Sequence, residues 1–193
     1  MRKKIVGLMI IAVMLFTAGL VWAQSLATPE AAVKAYMALL QKEKINEFVA
    51  VMHPGALADF KKMMMPVVKL ATAKKKEAQV MTLFKGVKNA ALLEKMPPAQ
   101  VFAAFYKGLL VVMPKLSDAL AGSKMEVLGH VAEGKELAHV VYRATMSLGQ
   151  IKSVKVDVVS CRLYKGKWMV LLSSNLEGLA AQIKMQIENS LSR

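Results

Sequence analysis

Apolar residues recur three and four apart through the first half of this chain, and at every second position through much of the second half. The change falls near Gly122. The first spacing places side chains on one face of a helix, the second on one face of a strand. Thr28-Pro29-Glu30 supplies a capping hydroxyl, a first-turn proline and an acid at the positive end of a helix. Val33, Tyr36, Met37 and Leu40 follow at helical spacing. A short helix is predicted over Ile45 to Met52, stopped by Pro54-Gly55. A third begins near Ala56 and carries Leu57, Phe60, Met64 and Val68 on one face, with Pro66 expected to kink or end it. Thr72 to Lys95 reads as loosely helical, and Met96-Pro97-Pro98 breaks it. Phe102, Phe105, Tyr106, Leu109, Leu110 and Met113 then form a stripe, which Ala103, Ala104 and Val111 widen. A helix apolar over so wide an arc is central in a core or lines a cavity.

Beyond Gly122, four β-branched runs are predicted as strands: Lys124 to Ala132, Leu137 to Leu148, Ile151 to Tyr164 and Lys167 to Ser174. Glu133-Gly134, Gly149-Gln150 and Lys165-Gly166 separate them as hairpin turns, so an antiparallel meander is expected. In the third run Val154, Val156 and Val158 set one phase, and Val159, Cys161 and Leu163 set the other. That shift predicts a β-bulge and a curved sheet. Ser174-Asn175-Leu176-Glu177 has the pattern of a capping box. The helix after it, with Leu176, Leu179, Ala180, Ile183 and Ile187 on one face, is expected to cover the sheet. A cavity mouth or a partner are the alternatives. The fold class is therefore α+β: N-terminal helices on a curved four-stranded antiparallel meander, with a C-terminal helix.

The N-terminus changes the picture of where this fold works. Arg2, Lys3 and Lys4 precede an uncharged apolar run from Ile5 to Trp22, and Val21-Trp22-Ala23 ends in a processing pattern. Residues 1–23 are read as a secretory signal and 24–193 as one domain. The expected location is periplasmic or secreted, with an uncleaved membrane anchor as the alternative.

The formal charge is +14, mostly from lysine. Such a surface favours anionic partners, here an anionic membrane surface. Nucleic acid is not expected, because the lysines are not interleaved with exposed-looking aromatics and the compartment argues against it. Cys161 is the only cysteine, so no internal disulfide is available.

Chemistry is sparse. Glycine-rich phosphate loops, zinc-protease helices, paired-cysteine motifs and nucleophile elbows do not occur in the sequence. His53 reads as a helix-end residue near a negative dipole. His130 and His139 would face each other if the first hairpin turned at Gly134-Lys135, but no third metal ligand accompanies them. Asp157 sits between apolar neighbours, so burial could raise its pKa, while a position beside Lys155 or Arg143 is the plainer expectation. No catalytic residue, metal or cofactor is assigned. Of 15 methionines, Met37, Met64, Met113, Met146 and Met169 fall at positions expected to point inward.

Thr28 to Tyr36, together with Leu137 to Leu148, Ile151 to Tyr164 and Gly166-Lys167-Trp168-Met169-Val170, resembles the opening helix and last strands of the nuclear transport factor two-like superfamily. Two further stretches resemble exported phospholipid carriers of the toluene-tolerance type. They are Pro98-Ala99-Gln100 leading into Phe102, Phe105 and Tyr106, and Gly166-Lys167-Trp168 followed by Leu176 to Ile183. The resemblance implies a cone with an apolar cavity between helices and sheet. Tyr36, Met37, Phe102, Phe105, Tyr106, Leu109, Met113, Tyr142 and Met146 are the expected lining. The first reading is thus an exported binding module for a lipid or other hydrophobic ligand. The alternative is a structural or interaction protein, such as a homodimer, docking through its sheet or last helix. An enzyme ranks third.

Overall fold

The computed structural model describes residues 26–148 and 151–189. The expected signal over 1–23 and the Gly149-Gln150 turn lie outside them. Among the described residues, seven helices precede the sheet: α1 Pro29–Gln41, α2 Ile45–Ala50, α3 Pro54–Ala73, α4 Glu77–Met81, α5 Ala90–Lys95, α6 Pro98–Val112 and α7 Pro114–Ala121. Strands β1 Lys124–Glu133, β2 Leu137–Leu148, β3 Ile151–Tyr164 and β4 Lys167–Val170 follow, then α8 Ser174–Asn189. The strands form one open antiparallel sheet in the order β1-β2-β3-β4. The fold is α+β, with the helices gathered in the N-terminal part as the periodicity predicts.

Thr28 caps α1, its hydroxyl accepting from the Ala31 N–H at 3.2 Å. This helix lies across the inner face of the sheet, touching all four strands. Ala32, Val33 and Met37 are buried there with Ala138, Val140 and Cys161 from the sheet. α6 packs between α2 and α3. One glycine makes that packing close. A Cβ on Gly108 would overlap the Leu83 carbonyl and stand 3.0 Å from its Cα. The Lys85 N–H also donates to the Ala104 carbonyl at 3.0 Å, tying the α4–α5 connection to α6.

Several expectations need correction. α3 continues through Pro66 to Ala73 rather than ending there. The stretch from Thr72 to Lys95 holds two short helices, α4 and α5, joined by turns. α6 stops at Val112, and α7 departs from it at 98°. Pro114 is the physical cause: it has no N–H to continue α6, and it serves as the first residue of α7.

The β2–β3 register runs unbroken from Leu137↔Arg162 to Leu148↔Ile151, so β3 has no bulge against β2. The irregularity sits in β1, between Val127 and Gly129. The two apolar phases of β3 therefore belong to two faces of one regular strand. Val159 and Cys161 point into the core, and Val154, Val156 and Val158 point out. α8 packs mainly on α3 and not on the sheet, through the half-buried Leu176, Leu179 and Ile183. The expected capping-box side chains of Ser174 and Glu177 lie outside the described residues.

The two sheet edges differ. Leu26 accepts from the Trp168 N–H at 2.9 Å, and Val51 accepts from the Val170 N–H at 3.1 Å. Met52 and Val170 form a parallel bridge, so early residues cover the β4 edge. Among the described residues, β1 has no strand beyond it.

Candidate binding surfaces

Four of the nine expected lining residues meet in the aromatic core. Tyr36 lies against Phe48 with ring centroids 4.9 Å apart, and Phe48 is 5.1 Å from Tyr106 and 5.9 Å from Phe102. Phe60 meets Phe102 edge-on at 4.8 Å and Phe105 at 4.9 Å. Offset and edge-on pairs of this kind add to the area that each ring buries. Leu109 is buried with them.

Tyr142 approaches Tyr36 from β2. Burial drives the Tyr36 phenol well above its ordinary range, and Tyr106, Tyr142 and Cys161 add to the shift. Burial likewise raises Tyr106 and Tyr142. Three neutral phenols from α1, α6 and β2 thus gather where helices meet sheet. Met37 faces a separate surface groove of about 470 Å³ between α1 and β1, beside Met125 and Val127. Met146 is half-buried. Met113, expected inward, is exposed at the α6–α7 corner. Met64 is buried in the core, and Met169 is half-buried.

A second groove, of about 390 Å³, has no counterpart among the sequence expectations. Val49, Ala50, Met52, Pro54, Leu57, Pro97, Pro98, Ala99 and Met169 line it, with Asn46 at its edge. Its volume lies within the usual span of small-ligand pockets. The Pro97-Pro98 break is the available signal, because rigid prolines at a helix start leave apolar surface without a covering turn.

The outer face of the sheet is the largest departure from expectation. Val154, Val156 and Val158 are 57, 55 and 49% exposed, and Leu128 and Val131 of β1 are exposed beside them. Val141 on β2 pairs with Val158 and bridges the two groups. Two acids on this face meet basic side chains. Arg143 binds Glu126 at 3.0 Å, and His139 Nε2 lies 2.8 Å from Glu133.

The histidines do not combine. The first hairpin turns over three residues, Gly134 to Glu136, which moves the register by one position. His130 then opposes Val140, and His139 opposes Val131. The two rings stand on opposite faces, because a one-residue slip reverses every side chain. His130 meets Glu30 of α1 at 2.5 Å, holding that carboxyl below its usual range. His139 also contacts the Ser160 hydroxyl at 3.0 Å.

His53 caps the start of α3, not the end of a helix. Its Nδ1 accepts from the Gly55 N–H at 3.0 Å, and burial, then Arg162, hold its pKa down. Asp157 is held low as well, chiefly by the Lys155 ammonium at 2.6 Å, so the raised carboxyl of a buried base is not what this site provides. Arg143 is not its partner, since that side chain occupies the other face. Burial pushes the Cys161 thiol up to about 12. Among the described residues, no three His, Cys, Asp or Glu side chains gather as a metal site. No single described helix is long and apolar enough to cross a membrane. No family model, curated protein or solved structure matches this chain.

Proposed function

We propose that this protein is a docking module that pairs with a second copy of itself through the outer face of its sheet. The observation that carries the reading is the row Val154, Val156 and Val158, left half in water on a regular strand. Burying one half-exposed valine contributes roughly 1 kcal/mol, so five such side chains on each of two copies contribute roughly 10 kcal/mol. Association costs on the order of 4–15 kcal/mol in lost freedom. Three strands spanning roughly 40 Å by 10–15 Å offer about 500 Å². A standard interface uses about 800 Å² per partner. These magnitudes describe a weak, concentration-dependent dimer.

Charge supports the choice of partner. The chain carries +14, so most of its surface repels a second copy. The Glu126–Arg143 ion pair and the Glu133–His139 contact place acids among the basic groups of the outer sheet face. In sedimentation equilibrium the wild type is expected to dimerise with rising concentration. Val156→Asp, prepared identically, is expected to weaken the dimer at least about ten-fold, since it places a desolvated charge in the interface. Its melting temperature should not change, because Val156 faces solvent. A wild type that stays monomeric at about 200 µM, a concentration that would populate even a weak dimer, would refute the reading.

The Val49–Met169 groove favours a second reading, an exported carrier of an apolar ligand. Its lining is almost wholly aliphatic, with the Asn46 amide at its edge as the polar group for a ligand's end. Protein purified after export and extracted with organic solvent is expected to release a stoichiometric acyl species detectable by mass spectrometry. An extract indistinguishable from the solvent blank counts against the carrier.

A further inference from the structure

We infer that the corner between α6 and α7 inserts into the headgroup layer of an anionic lipid bilayer. The inference goes beyond the dimer proposed above and uses a different surface. Val111, Val112 and Met113 are consecutive and are 59, 52 and 48% exposed. They contrast with the rest of α6, where Val101, Phe102, Ala104, Phe105 and Leu109 are buried. The two helix axes diverge by 98° at this point, so the three side chains sit on a projecting bend rather than a flat face. A protein partner needs a broad complementary surface, on the order of 800 Å². A soft interface admits a small apolar wedge.

The surroundings select the charge of that interface. Lys107 and Lys115 flank the apex and are exposed. The α1–α2 turn lies alongside, tied to α7 by the Ser117 hydroxyl donating to Glu43 and to α6 by Lys107 approaching Asn46 at 3.5 Å. That turn adds Lys42 and Lys44. The acids at this end are Glu43, held by Ser117, Glu47, paired with Lys44 at 3.2 Å, and Asp118. Lys44 and Glu47 cancel, which leaves Lys42, Lys107 and Lys115 against Glu43 and Asp118 around the apex. A lysine near an anionic leaflet contributes about 1 kcal/mol, and the apolar wedge adds to it. The sum suits reversible contact, comparable to a single short lipid anchor.

The test places a polarity-sensitive fluorophore on the corner of the full chain through Met113→Cys. Cys161 is buried and does not compete for the label. Vesicles of phosphatidylcholine with one-quarter phosphatidylglycerol are expected to shift the probe emission to the blue and to expose it to quenching by shallow brominated lipids. Pure phosphatidylcholine vesicles, or about 0.5 M salt, which shortens the Debye length to a few Å, should remove most of the change. The same fluorophore at Lys135→Cys, on the β1–β2 hairpin, should not respond. Val111→Asp with Val112→Asp, in the Met113→Cys background, should abolish the response while leaving the far-ultraviolet spectrum unchanged. A silent corner probe on vesicle-bound protein would show attachment through another segment and overturn the inference, as would no binding at all. A blue shift that grows with protein concentration without vesicles would assign the corner to contact between copies and also overturn it.

Discussion

Gly108→Ala is expected to lower the melting temperature by roughly 6–12 °C. The added methyl would overlap the backbone carbonyl of Leu83, an atom that no rotamer change can move. Overpacked cores usually lose about 1–3 kcal/mol, and a backbone obstacle puts this case at or above the upper end. Each kcal/mol corresponds to roughly 2–4 °C in a chain of this size. Gly178 supplies the control. It lies inside α8, and a Cβ added there would meet no atom within 4 Å. Gly178→Ala should therefore stabilise the helix by roughly 0.5–1 kcal/mol. Thermal melts of both variants give the answer together. Similar small gains from both would show that α6 stands off from Leu83, contrary to the close packing described.

Phe102→Ala is expected to cost about 3–5 kcal/mol in urea unfolding. Phe102 is fully buried, with Phe48 of α2 and Phe60 of α3 reaching it from two other helices and Tyr106 one turn along α6. Removing the ring leaves a hole that the aromatic neighbours, held by their own contacts, cannot collapse to fill. Phe102→Leu restores most of the volume and should recover more than half of the loss. The near-ultraviolet signal should fall with alanine, because the ring environment loosens. A cost under about 1 kcal/mol would mean that Phe102 borders existing empty space, and the filled-core description would have to give way.

Much of the architecture was legible because each element obeys its own period. Val33, Met37 and Leu40 mark one helical face, and the separators Glu133-Gly134 and Lys165-Gly166 fall between strands. Lys165 and Gly166 both adopt positive φ, as a tight two-residue hairpin requires. What alternation cannot show is which face is covered. Val154 to Val158 and Val159 to Cys161 are equally apolar in the sequence, and only α1, lying over one side, separates them. The same limit explains the histidines. Whether His130 and His139 meet depends on one residue in the first turn, and glycine alone does not determine loop length.

The meeting of some candidate residues in the interior was legible. Tyr36, Phe102, Phe105 and Tyr106 do converge, because each stripe points to the common interior. Met113 continued that stripe on paper, but Pro114 ends the helix before its side chain can turn inward. The Val49–Met169 groove draws on segments more than a hundred residues apart in sequence, and no local pattern signals that meeting.

The attachment of Leu26 and Val51–His53 to β4 has a consequence for the order of assembly. Residues made early in synthesis find their backbone partners at Trp168 and Val170, near the end of the chain. The helices can form locally, but the structure cannot lock until the last strand arrives. Contacts between such distant segments slow folding, since a long loop must close before any of them forms. The newly made chain should therefore stay open until Val170 has emerged. A chain cut before Trp168 would lack its latch, however complete its helices.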